Sequence, residues 1–213
     1  MIRETFAEEG VPLEIAYIPR IESIYKPYVR SRASAVGLWQ LMAPTARLYG
    51  LRVDWYVDEL RDPVKSTRAI ARFILDYYRE FNDWHLTIAA YNGGMGRVAR
   101  ALQRTGTDDF WSLAATRALP RETREFVPKI LAAILIGTDP QLYGVHFIAQ
   151  EEFRYDEVTI DSMTDLQLIA EAAGTTLEIS QALNPQLLPR PIPTFHRQPR
   201  TVPGGRGPRP HAR

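Results

Sequence analysis

The sequence predicts a mainly α-helical protein that closes with a small α/β segment. Three observations carry that expectation. Apolar residues recur at helical spacing from Val64 to Phe81 and from Arg121 to Ile136, and no convincing period-two alternation appears before residue 150. Near Glu151 the character changes to a strand-like run and two short helical stretches, and from Pro189 the chain becomes rich in Pro, Arg and Gly. The 213 residues are enough for one or two domains with a real core.

Taken in order, Gly10 and Pro12 bracket a helix start, and Leu13, Ile15, Ala16, Ile18 and Ile21 carry the helix apolar face. Pro19 inside it predicts a kink that aims Glu22 into a cleft. Tyr25 to Ala35 reads as a loop, and Gly37 to Tyr49 as a helix stopped by Gly50. Asp62 caps the next helix, with Pro63 first and Val64, Thr67, Ile70, Ala71, Ile74, Tyr78 and Phe81 on one face. Asp83 opens the apolar helix Trp84 to Tyr91, which breaks at Asn92-Gly93-Gly94; a further helix after Gly96 carries Val98, Ala101 and Leu102. Arg121 to Ile136 is a long amphipathic helix ended by Gly137. Phe153 to Val158 reads as a strand, Asp165 to Ala173 and Leu177 to Leu183 as helices. The stretch from Pro189 has little to bury and reads as a disordered basic tail. The expected division is 1–148, 149–188 and 189–213.

Composition removes several function classes. The net charge is +1, which gives no general case for nucleic acid or another acidic partner, and the chain has no cysteine for disulfides or thiolate metal sites. His85, His146, His196 and His211 lack ligand-like spacing, so no metal and no other cofactor is expected. Asn92-Gly93-Gly94-Met95-Gly96 follows a helix rather than a strand, unlike a phosphate loop. There is no apolar run long enough to span a membrane, and Met1 to Gly10 is mixed and acidic, unlike a signal peptide.

The chemistry centres on Glu22. At the end of an apolar run its carboxyl is expected to be desolvated and protonated near neutral pH, the state of a general acid. Taken alone, a glutamate here reads far more readily as a solvated charge at a helix end, and only the accompanying motifs favour the acid. Ser23 reads as a helix-end hydrogen bond to backbone. Gln40 offers donor and acceptor groups suited to sugar hydroxyls and acetamido groups, whereas Trp39, between Leu38 and Leu41, reads as core. Asn92, after Tyr91 where the helix breaks at Gly93-Gly94, reads as a helix C-cap. Glycosidases normally use two carboxylates, and Asp54, Asp58 and Glu59 are the available second groups, although nothing in their spacing demands it.

The ordered set Glu22-Ser23, Gly37-Leu38-Trp39-Gln40, Tyr49-Gly50, Arg61-Asp62-Pro63, Asp83-Trp84, Ala90-Tyr91-Asn92 and Leu119-Pro120-Arg121-Glu122-Thr123-Arg124 resembles the catalytic domain of the lytic transglycosylases, nearest to the membrane-bound lytic murein transglycosylase D group. The likeness covers roughly residues 5 to 145. It implies a lysozyme-like helical fold whose partner is the glycan strand of peptidoglycan, in the periplasm or cell envelope. With no signal peptide in view, that location implies a truncated start, a domain of a longer protein, or another export route. The resemblance makes Glu22 the acid that protonates the oxygen between N-acetylmuramic acid and N-acetylglucosamine, and then the base that takes the C6 hydroxyl proton as a 1,6-anhydro ring closes. Water is not consumed. Ser23 would orient neighbouring elements, and Gln40, Tyr91 and Asn92 would border the cleft. One departure stands out: where the family places a Tyr after Arg-Glu-Thr-Arg, this chain has Phe126, which shields the acid but offers it no hydroxyl. Two rivals stay open, a lysozyme-type hydrolase and a noncatalytic glycan-binding protein. Residues 149–188 resemble a degenerate LysM module, with Ser162-Met163-Thr164-Asp165-Leu166 at its entry and Val202-Pro203-Gly204 similar to a closing strand.

Overall fold

A computed structural model of the chain describes residues 1–146, 155–160, 164–188 and, for the backbone, 199–203. Its helices are α1 (Ile2–Glu9), α2 (Ile18–Glu22), α3 (Ala43–Leu48), α4 (Pro63–Phe81), α5 (Trp84–Gly93), α6 (Met95–Thr105), α7 (Phe110–Ala115), α8 (Arg121–Thr138), α9 (Leu166–Ala172) and α10 (Leu177–Leu183). A two-stranded antiparallel sheet joins β1 (Tyr155–Thr159) to β2 (Pro199–Pro203), with Tyr155 opposite Pro203 and Thr159 opposite Pro199.

Helix α5 is the hub, packing against α4, α6, α7 and α8. Leu86, Ile88, Ala89 and Ala90 are all buried, so its sequence is apolar around most of its circumference rather than striped. Around it lie Ile70, Ala71 and Ile74 of α4, Val98 and Ala101 of α6, and Val127 and Ile130 of α8, while α1 places Phe6 against α4. The starts of these helices are written in side chains. Asp62 accepts from the Val64 and Lys65 amides at 3.0 and 2.9 Å, Asp83 from Leu86 at 2.7 Å, and Asp109 from Trp111 and Ser112.

Several local expectations are corrected. The helix expected from Pro12 to Ile21 is two pieces, a 3₁₀ helix Leu13–Tyr17 and α2, because Pro19 lies in the first turn of α2, where its missing N–H costs nothing, and starts that helix instead of kinking it. The helix expected from Gly37 to Tyr49 is confined to α3. Gly37 (φ 85°) and Gln40 (φ 47°) are left-handed, and Val36 pairs with Leu41 across the turn they make. Helix α8 continues through Gly137, which lies so close to the Tyr17 ring that a Cβ would stand 2.1 Å from it. Asn92 is not a cap: α5 extends to Gly93 and Gly94 closes it at φ 87°. Helix α1, with Phe6 fully buried, was not foreseen.

Beyond the main bundle, Asp165 caps α9 and Thr176 caps α10. The chain after α10 is stitched to the 52–60 loop, the Asp58 amide donating to the Gln186 carbonyl at 2.8 Å and the Leu188 amide to Tyr56 at 3.0 Å. Within the stretch read as a disordered tail, β2 is a paired strand; 189–198 and 204–213 lie outside the described residues, as do Phe153 and Arg154 of the expected strand. Among the described residues no helix is long and apolar enough to cross a membrane.

Candidate active site

Glu22 is the last residue of α2, which packs against α8, and its side chain is half-buried. The chain leaves it through a turn that three contacts hold. The Ser23 hydroxyl, itself buried, donates to the Leu38 carbonyl at 2.8 Å, tying the residue after the acid to the Gly37 turn. Ile24 and Tyr25 follow at φ 54° and 56°, conformations that a β-branched or bulky side chain adopts only under constraint. Tyr25 is fastened by its hydroxyl, which donates to the Ala16 carbonyl at 3.0 Å, and the Lys26 amide returns to Ser23 at 3.1 Å.

The Gly37 turn forms the adjoining wall. A Cβ at Gly37 would sit 1.9 Å from the Leu60 carbonyl oxygen, so only glycine lets the two backbones meet. The Gln40 amide nitrogen donates to the carbonyls of Gly37 at 2.9 Å and Val29 at 3.1 Å. Gln40 therefore braces its own loop, and its amide nitrogen is already occupied. Trp39 is fully buried, as its neighbours Leu38 and Leu41 predict; its indole donates to the Thr67 hydroxyl at 3.0 Å and its ring lies 5.4 Å from Phe6. The Tyr91 hydroxyl donates to the Trp39 carbonyl, which links the end of α5 to the same turn.

Helix α8 supplies the third side. Phe126 is buried and stacks on Tyr91 at 6.3 Å with the ring planes 7° apart. Asn92 accepts from the Thr123 hydroxyl at 2.9 Å and donates to Glu122 at 3.3 Å. This contact needs Gly93, where a Cβ would fall 2.9 Å from the Thr123 side chain. Glu122 is thereby held by Asn92 in the first turn of α8.

Burial, and then the Glu122 carboxylate, push Glu22 up to about 7 from 4.5. Desolvation, and then the Glu22 charge, push the Tyr91 phenol well above its ordinary value. The arrangement is a carboxyl whose neutral, protonated form persists toward neutral pH, close enough to Tyr91 to act on its phenol and tied through Ser23 to the Gly37 turn. The three carboxylates singled out as possible second groups are engaged elsewhere: Asp54 with Arg52, Asp58 with Arg61, and Glu59 with Lys65 and the Arg52 amide. The group that does interact with Glu22 is Glu122. Its role was hidden because 100 residues separate the pair; the signal was present, since a Glu two positions after Pro120 falls in the first turn of a helix. Among the described residues no cluster of three or more His, Asp or Glu side chains is placed to hold a metal.

Replacing Glu122 tests this coupling. In Glu122→Gln the pKa governing the fall of kcat/KM with rising pH is expected to move down from about 7 while most of its elevation persists, because burial is the larger cause. An unmoved limb would show that Glu122 does not act on the acid.

Comparison with known proteins adds three findings. The Transglycosylase SLT domain model matches residues 1–114. The chain is 36% identical over 183 residues to membrane-bound lytic murein transglycosylase D of Escherichia coli K12, an alignment that takes in 83% of this chain and 40% of that protein, so the chain spans about two fifths of its curated relative's length. Two solved structures superpose on it at 28% identity. One is an inactive mutant of the lytic transglycosylase Slt from Pseudomonas aeruginosa, with a TM-score of 0.56 over 66% of this chain and 24% of that one. The other is the 70-kDa soluble lytic transglycosylase of Escherichia coli, with a TM-score of 0.52 over 62% and 23%.

Proposed function

The chain belongs to the Transglycosylase SLT domain family, and from that premise we propose that it cleaves the glycan strands of peptidoglycan between N-acetylmuramic acid and N-acetylglucosamine without consuming water. The observation that carries the reading is the place of Glu22, a half-buried carboxyl at the end of α2 whose next residue is tied to the Gly37 turn, where burial pushes it up to about 7. The Glu22 carboxyl gives its proton to the bridging oxygen as the C1–O bond breaks. The carboxylate left behind takes the proton of the C6 hydroxyl as O6 bonds to C1. The acid is restored, and the products are a free 4-hydroxyl and a 1,6-anhydro end.

The supporting residues divide by what they touch. Ser23 fixes the backbone after the acid, Gln40 and Tyr91 hold the Gly37 turn, and Asn92 holds Glu122. Phe126 supports the reading differently: it stacks on Tyr91 where the family resemblance implies a Tyr, and has no hydroxyl to offer. Phe126→Tyr is expected to raise turnover about fivefold, the worth of one neutral hydrogen bond of ~1 kcal/mol. Unchanged turnover with an unchanged melting temperature would remove the hydroxyl from consideration.

Hydrolysis is the second reading, favoured by one observation: Glu122 gives the site a second carboxylate. Mass spectrometry of the products from purified peptidoglycan separates the two. Anhydro-muropeptides are expected; reducing ends would establish hydrolysis instead, and intact strands a binding protein. The β1-α9-α10-β2 order supports reading the C-terminal segment as a LysM-like module for the same polymer, one that takes in β2 beyond residue 188. The substrate places the protein's action in the cell envelope.

A further inference from the structure

The Pro-, Arg- and Gly-rich end of the sequence has no part in the chemistry of Glu22, and β2 shows where its last stretch begins. Pro203, the final residue of β2, stands opposite Tyr155, the first of β1. Tyr155 and Glu157 are two apart on β1 and so share one of its faces, and both line a groove of about 460 Å³. Asp62 and Lys65 line the same groove from the start of α4, which places it between α4 and β1. Gln186 lines it too, and the Gln186 carbonyl accepts from the Asp58 amide. The groove therefore continues the seam that holds the chain after α10 on the 52–60 loop.

Charge and shape narrow the occupant. Burial, and then the charges of Glu157 and Asp62, push the Tyr155 phenol up, so both carboxylates act on one ring of the lining. Of the cations here, Lys65 is paired with Glu59 and the Met1 amine with Glu4. Pro27, Pro63 and Pro185 give the groove rigid apolar rings beside Tyr155. Residues 204–213 carry the complement: Arg206, Arg209 and Arg213, with Pro208 and Pro210 between them and no acid. Proline-rich segments favour the polyproline II form, which docks in grooves walled by aromatic rings at small entropic cost, and arginine forks pair with carboxylates. Because β2 ends opposite Tyr155, the chain itself delivers this segment to the groove, at a higher effective concentration than a free partner reaches.

We propose that the groove between β1 and the start of α4 is the docking place of the chain's own residues 204–213, with arginines against Asp62 and Glu157 and prolines against Tyr155 and Pro63. Docked there, the segment clasps the C-terminal elements to α4, whether or not Glu22 cleaves glycan. The test uses the full chain. It has no cysteine, so Ala212→Cys carries a single nitroxide label. The label is expected to speed the relaxation of the Val64, Leu183 and Gln186 amide protons above that of the exposed α6 face. Arg206→Gln/Arg209→Gln should cut that effect about threefold, the worth of exposed ion pairs, and about 1 M salt should do the same. Both substitutions lie outside the helical bundle, so its folding is not at stake. Glu157→Gln, made from the groove side at an exposed position, should give a matching loss. Relaxation spread evenly over the surface, or unmoved by the arginines, overturns the proposal. So does an effect that passes from a labelled chain to an unlabelled one in a mixture, which would make the groove an interface between two copies.

Discussion

Glu22→Gln is expected to lower the rate of strand cleavage by about a thousandfold, since a positioned general acid contributes roughly 10²–10⁴ and the amide can neither give nor take the proton. The substitution keeps the shape of the side chain, so the loss should fall on kcat while binding of strands persists. Residual activity within about tenfold of the parent would sink the assignment. The same variant has a stability signature of its own. The folded-state value of about 7 lies above the ordinary 4.5, so the folded form holds a proton that the unfolded chain has given up between those limits. That contribution is fully present below pH 4.5 and is lost as pH rises through about 7. The shift corresponds to roughly 3 kcal/mol. Urea denaturation should therefore find Glu22→Gln gaining on the parent from pH 4.5 to pH 8, by up to that amount. Parallel stability curves would mean that the Glu22 carboxyl is solvated, and would undercut its role as an acid at neutral pH.

Trp39→Ala is expected to cost about 3–5 kcal/mol, the range for deleting a large buried aromatic side chain. Trp39 is fully buried between Phe6 and Thr67, two elements far apart in the chain, and its removal opens a cavity that neither α1 nor α4 can close without moving. In a protein of this size the melting temperature should fall by about 10 °C. Because the Trp39 carbonyl receives the Tyr91 hydroxyl and the Leu38 carbonyl receives Ser23, loosening this turn should also lower kcat well below the melting range. Trp39→Phe, which refills most of the volume, should recover most of both losses. A midpoint within about 2 °C of the parent for Trp39→Ala would show that the turn is held by its other contacts.

The helices that could be read from the chain were those whose limits are set by neighbours in sequence. Asp62-Pro63 and Asp83 name the starts of α4 and α5 because an N-cap acts over two or three residues, and α4 repeats its apolar face for 19 residues. Trp39 was legible as core for the same reason, from Leu38 and Leu41 beside it. The Gly37 turn was not. Gly37-Leu38-Trp39-Gln40 carries helical periodicity, yet what bends it is the Leu60 carbonyl pressed against Gly37, a contact from 23 residues away.

The sequence by itself determined that the chain is largely helical, which helices α4, α5 and α8 would be, and that Glu22 ends an apolar run. Each depends on periodicity or on capping, which act within a few residues. Only the tertiary structure decided that Glu122 is the carboxylate that acts on Glu22, that Asp54, Asp58 and Glu59 are paired elsewhere, and that Gln40 braces its own loop. Those outcomes depend on how α2 packs on α8 and α8 on α5. Electrostatics acts through space, at distances that order along the chain does not encode.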